Sequence, residues 1–314
     1  MTHWSRLAER GGSLGLGILL FVYRRFGAGA VRLLLYPLVG YFYLSGRRAR
    51  NASMDWLRRV CTRFGPIPGL RCPPGRRASF RHFLAFADAS LDKLAAWSGR
   101  MEDGVVAFEG REAYASLIAS GHGALVIGSH LGNLEMARAL GTAGGQATIN
   151  AVVYTQHAER FNRMMARANP AFGVRLLQVR DFGPDTAMLF QDKVERGELL
   201  FIVGDRTPAS ENGRVCRVPF LGEPAPFAQG PFLLAHLLKC PVYLFFCLKQ
   251  DGRYQIHFEL FAERVDLPRQ GREAALGTLI ARYAARLEHY CAQTPLQWFN
   301  FFDFWADTAP RTTP

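Results

Sequence analysis

Short apolar runs alternate with amphipathic segments over most of the chain, and this alternation predicts an α/β fold. The runs that have the length and composition of buried strands lie at 124–128, 147–154, 174–179, 199–204, 241–248 and 253–260. Helical patterns lie near 132–141, 158–168, 183–195, 228–239 and 271–292. Strands that alternate with helices of this length indicate a mostly parallel central sheet that is flanked by helices.

Turn and loop composition adds two expectations. The last two strands are separated by about four residues around Asp251-Gly252, so we expect them to form an antiparallel hairpin. The segment after 199–204 reads as a loop of about twenty polar, glycine and proline residues, and loops of that length are commonly functional. Two further amphipathic helices are predicted before the α/β part, at 52–63 and 79–98.

The N-terminal part of the chain has a different texture. Two apolar runs, 13–23 and 26–45, are separated and flanked by arginines. The first run is too short to span a bilayer, and the second contains an arginine and a proline. This mixture is typical of a segment that lies in a membrane interface against anionic lipid, and a buried helical hairpin is the alternative. We therefore predict a helical membrane-associating extension over 1–50 and one α/β domain over 51–314.

The charge balance narrows the classes of partner. The 314 residues include 38 Lys and Arg against 26 Asp and Glu, which gives a formal net charge of +12. This favours nucleic acid, anionic lipid or an acidic carrier protein as partner. The strands are too apolar for nucleic-acid binding, and no basic recognition helix is present, so nucleic acid is excluded. Gly121-His122-Gly123 precedes a strand, whereas a dinucleotide-binding loop follows one, so no nucleotide cofactor is expected.

The cysteines point to a reducing compartment. The six cysteines include no CxxC pair, and Cys240, Cys247 and Cys291 lie in apolar runs, where a free thiol behaves as a small hydrophobic side chain. A disulfide framework is typical of short secreted chains rather than of a chain of this length. We therefore expect free thiols and no zinc site.

The first candidate for chemistry is His130, on the turn that follows the strand at 124–128. In α/β folds the carboxyl ends of the strands carry the functional groups. Gly132 permits the chain to bend, so that Glu135, in the first turn of the next helix, can accept a hydrogen bond from one imidazole nitrogen. The other nitrogen is then a base. The alternative is that His130 is an ordinary loop histidine and that the negative charge of Glu135 stabilises the helix N-terminus through the helix dipole.

The second candidate segment begins where the strand at 199–204 ends, with Asp205 and Arg206. A charged pair in that place can bind an anion or a polar head group, and the alternative is that it organises the loop that follows. That loop contains Phe220-Leu221-Gly222 and continues to Gln229-Gly230, which open an apolar helix.

These residues resemble a known family. The segment GSHLGNLE, which ends at Glu135, resembles the H-x4-D/E block of the lysophospholipid acyltransferase superfamily, in particular its bacterial lipid A lauroyl/myristoyl acyltransferase branch. VPFLGEPAPFAQGPFLLA is similar to the F-F-G-x-x-A block of that branch and the Gly and Leu-Ala that follow it. Arg206 is a departure, because that branch has Asp-Gln where this chain has Asp205-Arg206. The ending PLQWFNFFDFW is similar to stand-alone predicted acyltransferases. We expect this aromatic ending in the core, with an interfacial belt or a lid as the alternatives.

The resemblance implies an acyltransferase at the cytoplasmic face of the bacterial inner membrane. The acyl donor would be a thioester of acyl carrier protein or coenzyme A, and the acceptor a hydroxyl or amine of a lipid or glycolipid, with no metal or bound cofactor. His130 would deprotonate the acceptor, and Glu135 would hold the imidazole.

The same resemblance implies the substrate-binding residues, namely Gly132, Asn133, Asp205, Arg206, Phe220, Gly222, Gln229 and Gly230. Arg206 would bind a phosphate, and backbone N–H groups near Gly222 or at Gln229-Gly230 would stabilise the oxyanion. Two other functions remain open, namely a thioester hydrolase that uses the same base and a non-catalytic membrane-binding protein of the same fold.

Overall fold

The molecule divides into two compact units. A computed structural model describes residues 25, 29, 31, 33–97, 106–134, 148–153, 174–179, 183–207 and 214–305. One unit combines residues 1–94 with 292–314, and the other comprises residues 95–291. The domain boundary that we place near residue 50 stays a prediction.

The unit at residues 95–291 contains the predicted sheet. Its strands are β1 (Val106–Glu109), β2 (Ala124–Gly128), β3 (Ile149–Val153), β4 (Val174–Gln178), β5 (Leu199–Val203), β8 (Val242–Gln250) and β9 (Arg253–Ala262). They are ordered β1-β9-β8-β2-β5-β3-β4. The β8–β9 pair is antiparallel and every other pair is parallel. The prediction of a mostly parallel sheet is therefore confirmed.

Helices accompany this sheet as the pattern predicts. Those of the same unit are α4 (Arg111–Ala119), α5 (Pro184–Glu195), α6 (Gly230–Leu238) and α7 (Arg272–Gln293). All five residues of β2 are buried, which explains its uninterrupted apolar sequence, because a parallel strand is covered on both faces. The helices predicted at 132–141 and 158–168 lie largely outside the described residues.

The long segment before α6 contains a hairpin, and the prediction of a loop without secondary structure is wrong there. β6 (Val215–Phe220) and β7 (Glu223–Ala228) form a two-stranded antiparallel ribbon. The prolines of this segment are typical of loops, so the sequence did not predict the two strands. Proline has no backbone N–H, but it is tolerated where a strand has a free edge. Leu221 and Gly222 make the turn with φ values of 53° and 82°.

The antiparallel hairpin predicted for the last two strands of the chain is confirmed. β8 and β9 are joined at Asp251-Gly252, whose φ values of 49° and 78° are both positive. A two-residue turn with two positive φ values matches the twist of antiparallel strands, and Asp-Gly tolerates it well.

The other unit is helical. It contains α1, which includes residues 33–45, α2 (Arg47–Phe64) and the greater part of α3 (Arg76–Trp97). Trp298 packs on Trp56 with ring centroids 4.4 Å apart, and the Trp56 indole donates a 2.8 Å hydrogen bond to the Pro295 carbonyl. Trp298 and Phe304 are both buried. The aromatic ending therefore belongs to the core of this unit, as predicted.

One expectation about the cysteines is wrong. Cys61 and Cys72 form a disulfide, while the four other cysteines are free. Cys61 lies in the last turn of α2, and the chain then reverses through a bridge between Ile67 and Leu70, which brings Cys72 back beside the helix. This local reversal has no counterpart in the spacing rules for cysteines.

α1 exposes apolar side chains. Leu33, Tyr36, Tyr41 and Leu44 are exposed, whereas Leu35 on the opposite face is buried. Within the part of the chain that is described, no helix has both the length and the apolar character needed to cross a membrane.

Candidate active site

Two neighbouring strands deliver the polar groups of the site. β2 and β5 are paired in parallel, with Gly128 opposite Val203. His130 comes two residues after β2, and Asp205 comes two residues after β5. Because parallel strands end at the same edge of a sheet, the two side chains meet there.

His130 and Asp205 form a doubly hydrogen-bonded pair. The distance from His130 Nδ1 to Asp205 Oδ1 is 2.8 Å, and the His130 backbone N–H donates to Asp205 Oδ2 at 2.8 Å. A carboxylate only accepts, so Nδ1 carries a proton, and Nε2 is the basic nitrogen of the neutral ring. The Asp205 side chain is fully buried, while that of His130 is 27% exposed. The arrangement therefore presents a ring of fixed tautomer at the surface.

The sequence did not predict the contact between Asp205 and His130. Asp205 makes with His130 the kind of hydrogen bond that the sequence predicts for Glu135. Glu135 lies outside the described residues, so its contact with His130 stays a prediction. The sequence signal for Asp205 was its place directly after a buried strand. The order of the strands, which makes β5 the neighbour of β2, has no local signal in the sequence.

The loop that carries His130 is fixed against β8. Gly132 has a φ of +73°, and a Cβ atom there would overlap the Cys247 carbonyl oxygen. The Asn133 backbone N–H donates to that same oxygen at 2.9 Å. The buried Asn133 side chain donates to the Tyr254 hydroxyl at 3.4 Å. Gly132 and Asn133, both predicted to bind substrate, thus have contacts that hold the loop in place.

Arg206 adds a positive charge beside the pair. Burial lowers the pKa of Arg206, and the negative charge of Asp205 raises it. An arginine stays protonated in either case, because a guanidinium is not deprotonated in proteins. The site therefore has a permanent cation next to its buried carboxylate.

The remaining predicted residues lie on the β6–β7 hairpin and at the start of α6. Phe220 is buried and packs edge-to-face on Phe227, with ring centroids 5.5 Å apart. The backbone N–H of Leu221 donates to Glu288 Oε2 at 2.6 Å, and that of Gln229 donates to the Arg214 carbonyl at 3.0 Å. The Gln229 N–H, one of the predicted oxyanion donors, and the Leu221 N–H next to Gly222 therefore already have acceptors within the protein.

Metal chemistry has no cluster to support it within the described ranges. No group of three or more His, Cys, Asp and Glu side chains lies close enough together there to hold an ion. His130 and Asp205 contact each other directly through hydrogen bonds instead.

The fold and the site together define an α/β protein with a histidine–aspartate pair at the carboxyl edge of its sheet, a geometry suited to proton transfer. Residues 79–306 match the model of the bacterial lipid A biosynthesis acyltransferase family. The match covers both strand ends of the site and the hairpin, and the chain belongs to this family. The resemblance noted in the sequence is thereby confirmed. A search of curated proteins found no match to the chain.

Proposed function

We propose that the protein transfers an acyl chain from a thioester of acyl carrier protein or coenzyme A to a hydroxyl, or an amine, of a lipid or glycolipid acceptor. The observation that carries the proposal is the His130–Asp205 pair, found in a member of an acyltransferase family. Such a pair supplies the base that the reaction needs.

His130 acts as the general base. Nε2 takes the proton of the acceptor hydroxyl while the oxygen attacks the thioester carbonyl carbon. The tetrahedral intermediate then expels the thiolate, which recovers the proton from the imidazolium. No protein nucleophile is required, because the thioester is already activated. A positioned base of this kind contributes about 10² to 10⁴ in rate.

Asp205 acts through His130 as a positioning residue. Its two oxygens accept the ring and backbone N–H groups of His130, so they fix the tautomer and the direction of the ring. The buried negative charge also stabilises the imidazolium that forms during the reaction. Glu135, five residues after His130, keeps its predicted role as a second carboxylate at the ring.

Arg206 is proposed to bind an anionic group of the substrates. Both proposed donors carry a phosphate in their pantetheine arm, and many lipid acceptors carry one in their head group. An arginine binds phosphate through two parallel N–H···O bonds. Its place directly after Asp205 puts that group at the edge of the sheet that carries His130.

α1 supports association with a membrane. The buried residues Val31, Leu35 and Val39 recur every four positions along one face. The other face exposes Leu33 and Leu44, which are 74% and 76% accessible. The outer face of a helix is normally polar, and a contiguous apolar surface marks a lipid or protein contact. Since Arg47, Arg48 and Arg50 follow directly, we propose that α1 lies in an anionic membrane surface, namely the cytoplasmic face of a bacterial inner membrane.

The test is transfer of radiolabelled acyl chains from acyl carrier protein and from coenzyme A, with and without a bacterial lipid extract. Wild type is compared with His130→Ala and with a control, His122→Ala, which changes an exposed histidine on a turn. We expect acceptor-dependent labelling of lipid that is lost in His130→Ala and kept in His122→Ala.

The other outcomes are equally informative. Acyl release that needs no acceptor and is lost in His130→Ala would identify a thioester hydrolase. Full transfer activity in His130→Ala would remove this histidine from the mechanism. Absence of any reaction with wild type, across both donors and the lipid extract, would favour a non-catalytic binding protein.

A further inference from the structure

A buried phenol on α7 lies beneath the site and contacts both of the strand ends that form it. We infer that Tyr283 is a positioning residue for the His130–Asp205 pair and holds the ends of β2 and β5 at the spacing that the pair requires. This inference rests on the proposed function, and it identifies a residue without which the base of that reaction would be poorly aligned.

The first observation is a shared carbonyl. The Tyr283 hydroxyl donates to the Gly128 carbonyl oxygen at 2.8 Å, and the Gly204 backbone N–H donates to the same oxygen at 3.0 Å. Gly128 precedes His130 by two residues, and Gly204 directly precedes Asp205. One oxygen thus connects the two segments that carry the pair, and Tyr283 supplies one of its two donors.

The second observation is steric. A Cβ atom at Gly204 would lie 2.8 Å from Tyr283 Cζ and 2.9 Å from Ile127 Cγ2, so the ring lies directly against the backbone before Asp205. The same ring makes edge-to-face contacts with Phe227 at 6.1 Å and with Phe232 at 5.5 Å between centroids. Side chains of β7 and α6 therefore hold the ring against Gly204.

The surroundings of Tyr283 also favour the protonated hydroxyl. Burial raises the pKa of Tyr283 well above its ordinary value, the charge of Asp205 raises it further, and the Gly204 N–H lowers it. The nearby Cys291 thiol also has a raised pKa, first through burial and then through Asp205. Tyr283 therefore remains a hydrogen-bond donor over the working pH range.

These contacts predict a specific loss when the hydroxyl is removed. In Tyr283→Phe the ring still fills its place, but the Gly128 carbonyl loses a donor, and the ends of β2 and β5 gain freedom to shift. Catalytic groups must be held within about 0.5 Å of their productive geometry. The pair would therefore spend less time aligned, while substrate binding would be unaffected.

The principal test compares Tyr283→Phe with Tyr114→Phe. Tyr114 is a matched control, because it is also buried and packs on Phe258 of the same sheet, and among the described residues its hydroxyl has no hydrogen-bond partner. We expect kcat to fall about tenfold in Tyr283→Phe, equivalent to the loss of one hydrogen bond, with KM changed less than about twofold. Tyr114→Phe should keep the kcat of wild type.

A double-mutant cycle separates positioning from a general loss of structure. If Tyr283 acts through the pair, then adding Tyr283→Phe to Asp205→Asn should lower kcat by less than about twofold, since the alignment is already lost. An equal tenfold loss in both backgrounds would overturn the inference. If Tyr283→Phe does not fold, Gly204→Ala displaces the same ring while keeping its hydroxyl, and the same comparison applies.

A second readout does not depend on acyl transfer, so it holds even if the proposed function fails. In protein labelled with ¹⁵N-histidine, the Nδ1–H signal of His130 is identified by its absence in His130→Gln. We expect its exchange with water to be about tenfold faster in Tyr283→Phe and unchanged in Tyr114→Phe, because the Asp205 bond opens more often. An exchange rate in Tyr283→Phe that equals the wild-type rate would contradict the inference.

Discussion

At the scale of single residues, burial decides what each ionisable group can do. Asp205 is fully buried and pairs with a partly exposed His130, so the buried group holds the imidazole at the solvent-accessible surface. His82, in the helical unit, shows the opposite outcome. It is fully buried, its Nε2 bonds the Trp298 carbonyl at 3.0 Å, and its Nδ1 lies 3.1 Å from the Ser53 hydroxyl. Its ring is a structural part of the core.

Replacing the carboxylate of Asp205 by an amide should strongly lower the rate of acyl transfer. In Asp205→Asn the amide can donate to Nδ1, which favours the tautomer with the proton on Nε2, so His130 no longer acts as a base. We expect kcat for acyl transfer to fall by about 10² or more. Glu135→Gln, assayed in parallel, tests the second carboxylate, and a similar loss is expected if it also holds the ring. A wild-type rate in Asp205→Asn would contradict the role of Asp205, and one in Glu135→Gln would remove Glu135 from the mechanism.

His82 makes the stability of the protein sensitive to acid. Burial lowers its pKa from 6.5 to about 4, and the Trp298 carbonyl opposes that shift. The unfolded chain therefore binds a proton that the folded chain rejects between these values. The contribution to the free energy of unfolding is complete above pH 6.5 and decreases toward pH 4, by about 3 kcal/mol in all.

Urea unfolding at pH 7 and at pH 5 measures this effect. His82→Gln should lose part of the acid sensitivity that wild type shows, whereas His122→Gln, a change at an exposed turn, should keep it. If all three proteins lose the same free energy of unfolding between the two pH values, His82 is not the group responsible.

At the scale of elements, the two strands that lead to the site could be predicted from the sequence, because burial makes them continuously apolar. β2 begins and ends where the sequence predicted, and β5 differs by a single residue. The sequence did not predict the β6–β7 hairpin, because its three prolines and two charged residues are typical of a loop. The pairing of β2 with β5, and hence the contact of His130 with Asp205, depends on strand order. That order is set by packing across the whole sheet and leaves no local pattern.

The exposed face of α1 should determine binding to membranes. Replacing Leu33, Tyr41 and Leu44 by Gln removes exposed apolar surface from that face. We expect binding to vesicles that contain anionic phosphatidylglycerol to weaken by more than about tenfold, since burying each leucine in the interface contributes about 1.5 to 3 kcal/mol.

The control for α1 changes exposed apolar residues elsewhere. Met188→Gln with Leu189→Gln changes two side chains of α5 that are also exposed, and this double variant should bind vesicles like wild type. Sedimentation with vesicles gives the bound fraction of each protein. Equal binding by the α1 variant and wild type would show that this face does not contact lipid.

At the scale of the whole molecule, an acyltransferase fold and a basic charge of +12 occur in one chain. The family assignment is consistent with a histidine–aspartate pair, a geometry suited to proton transfer, at the carboxyl edge of the sheet. The positive charge favours substrates that are anionic, which acyl carrier protein, coenzyme A and acidic lipids all are. The charge alone could not choose among these partners, whereas the His130–Asp205 pair has a geometry suited to proton transfer.

The role of His130 as general base is tested by the initial rate at which label passes from acyl carrier protein to lipid, for wild type and His130→Ala side by side. If His130 is the base, transfer needs the lipid acceptor and its rate falls by at least about 10² in the variant. Transfer at the same rate in both proteins would contradict it.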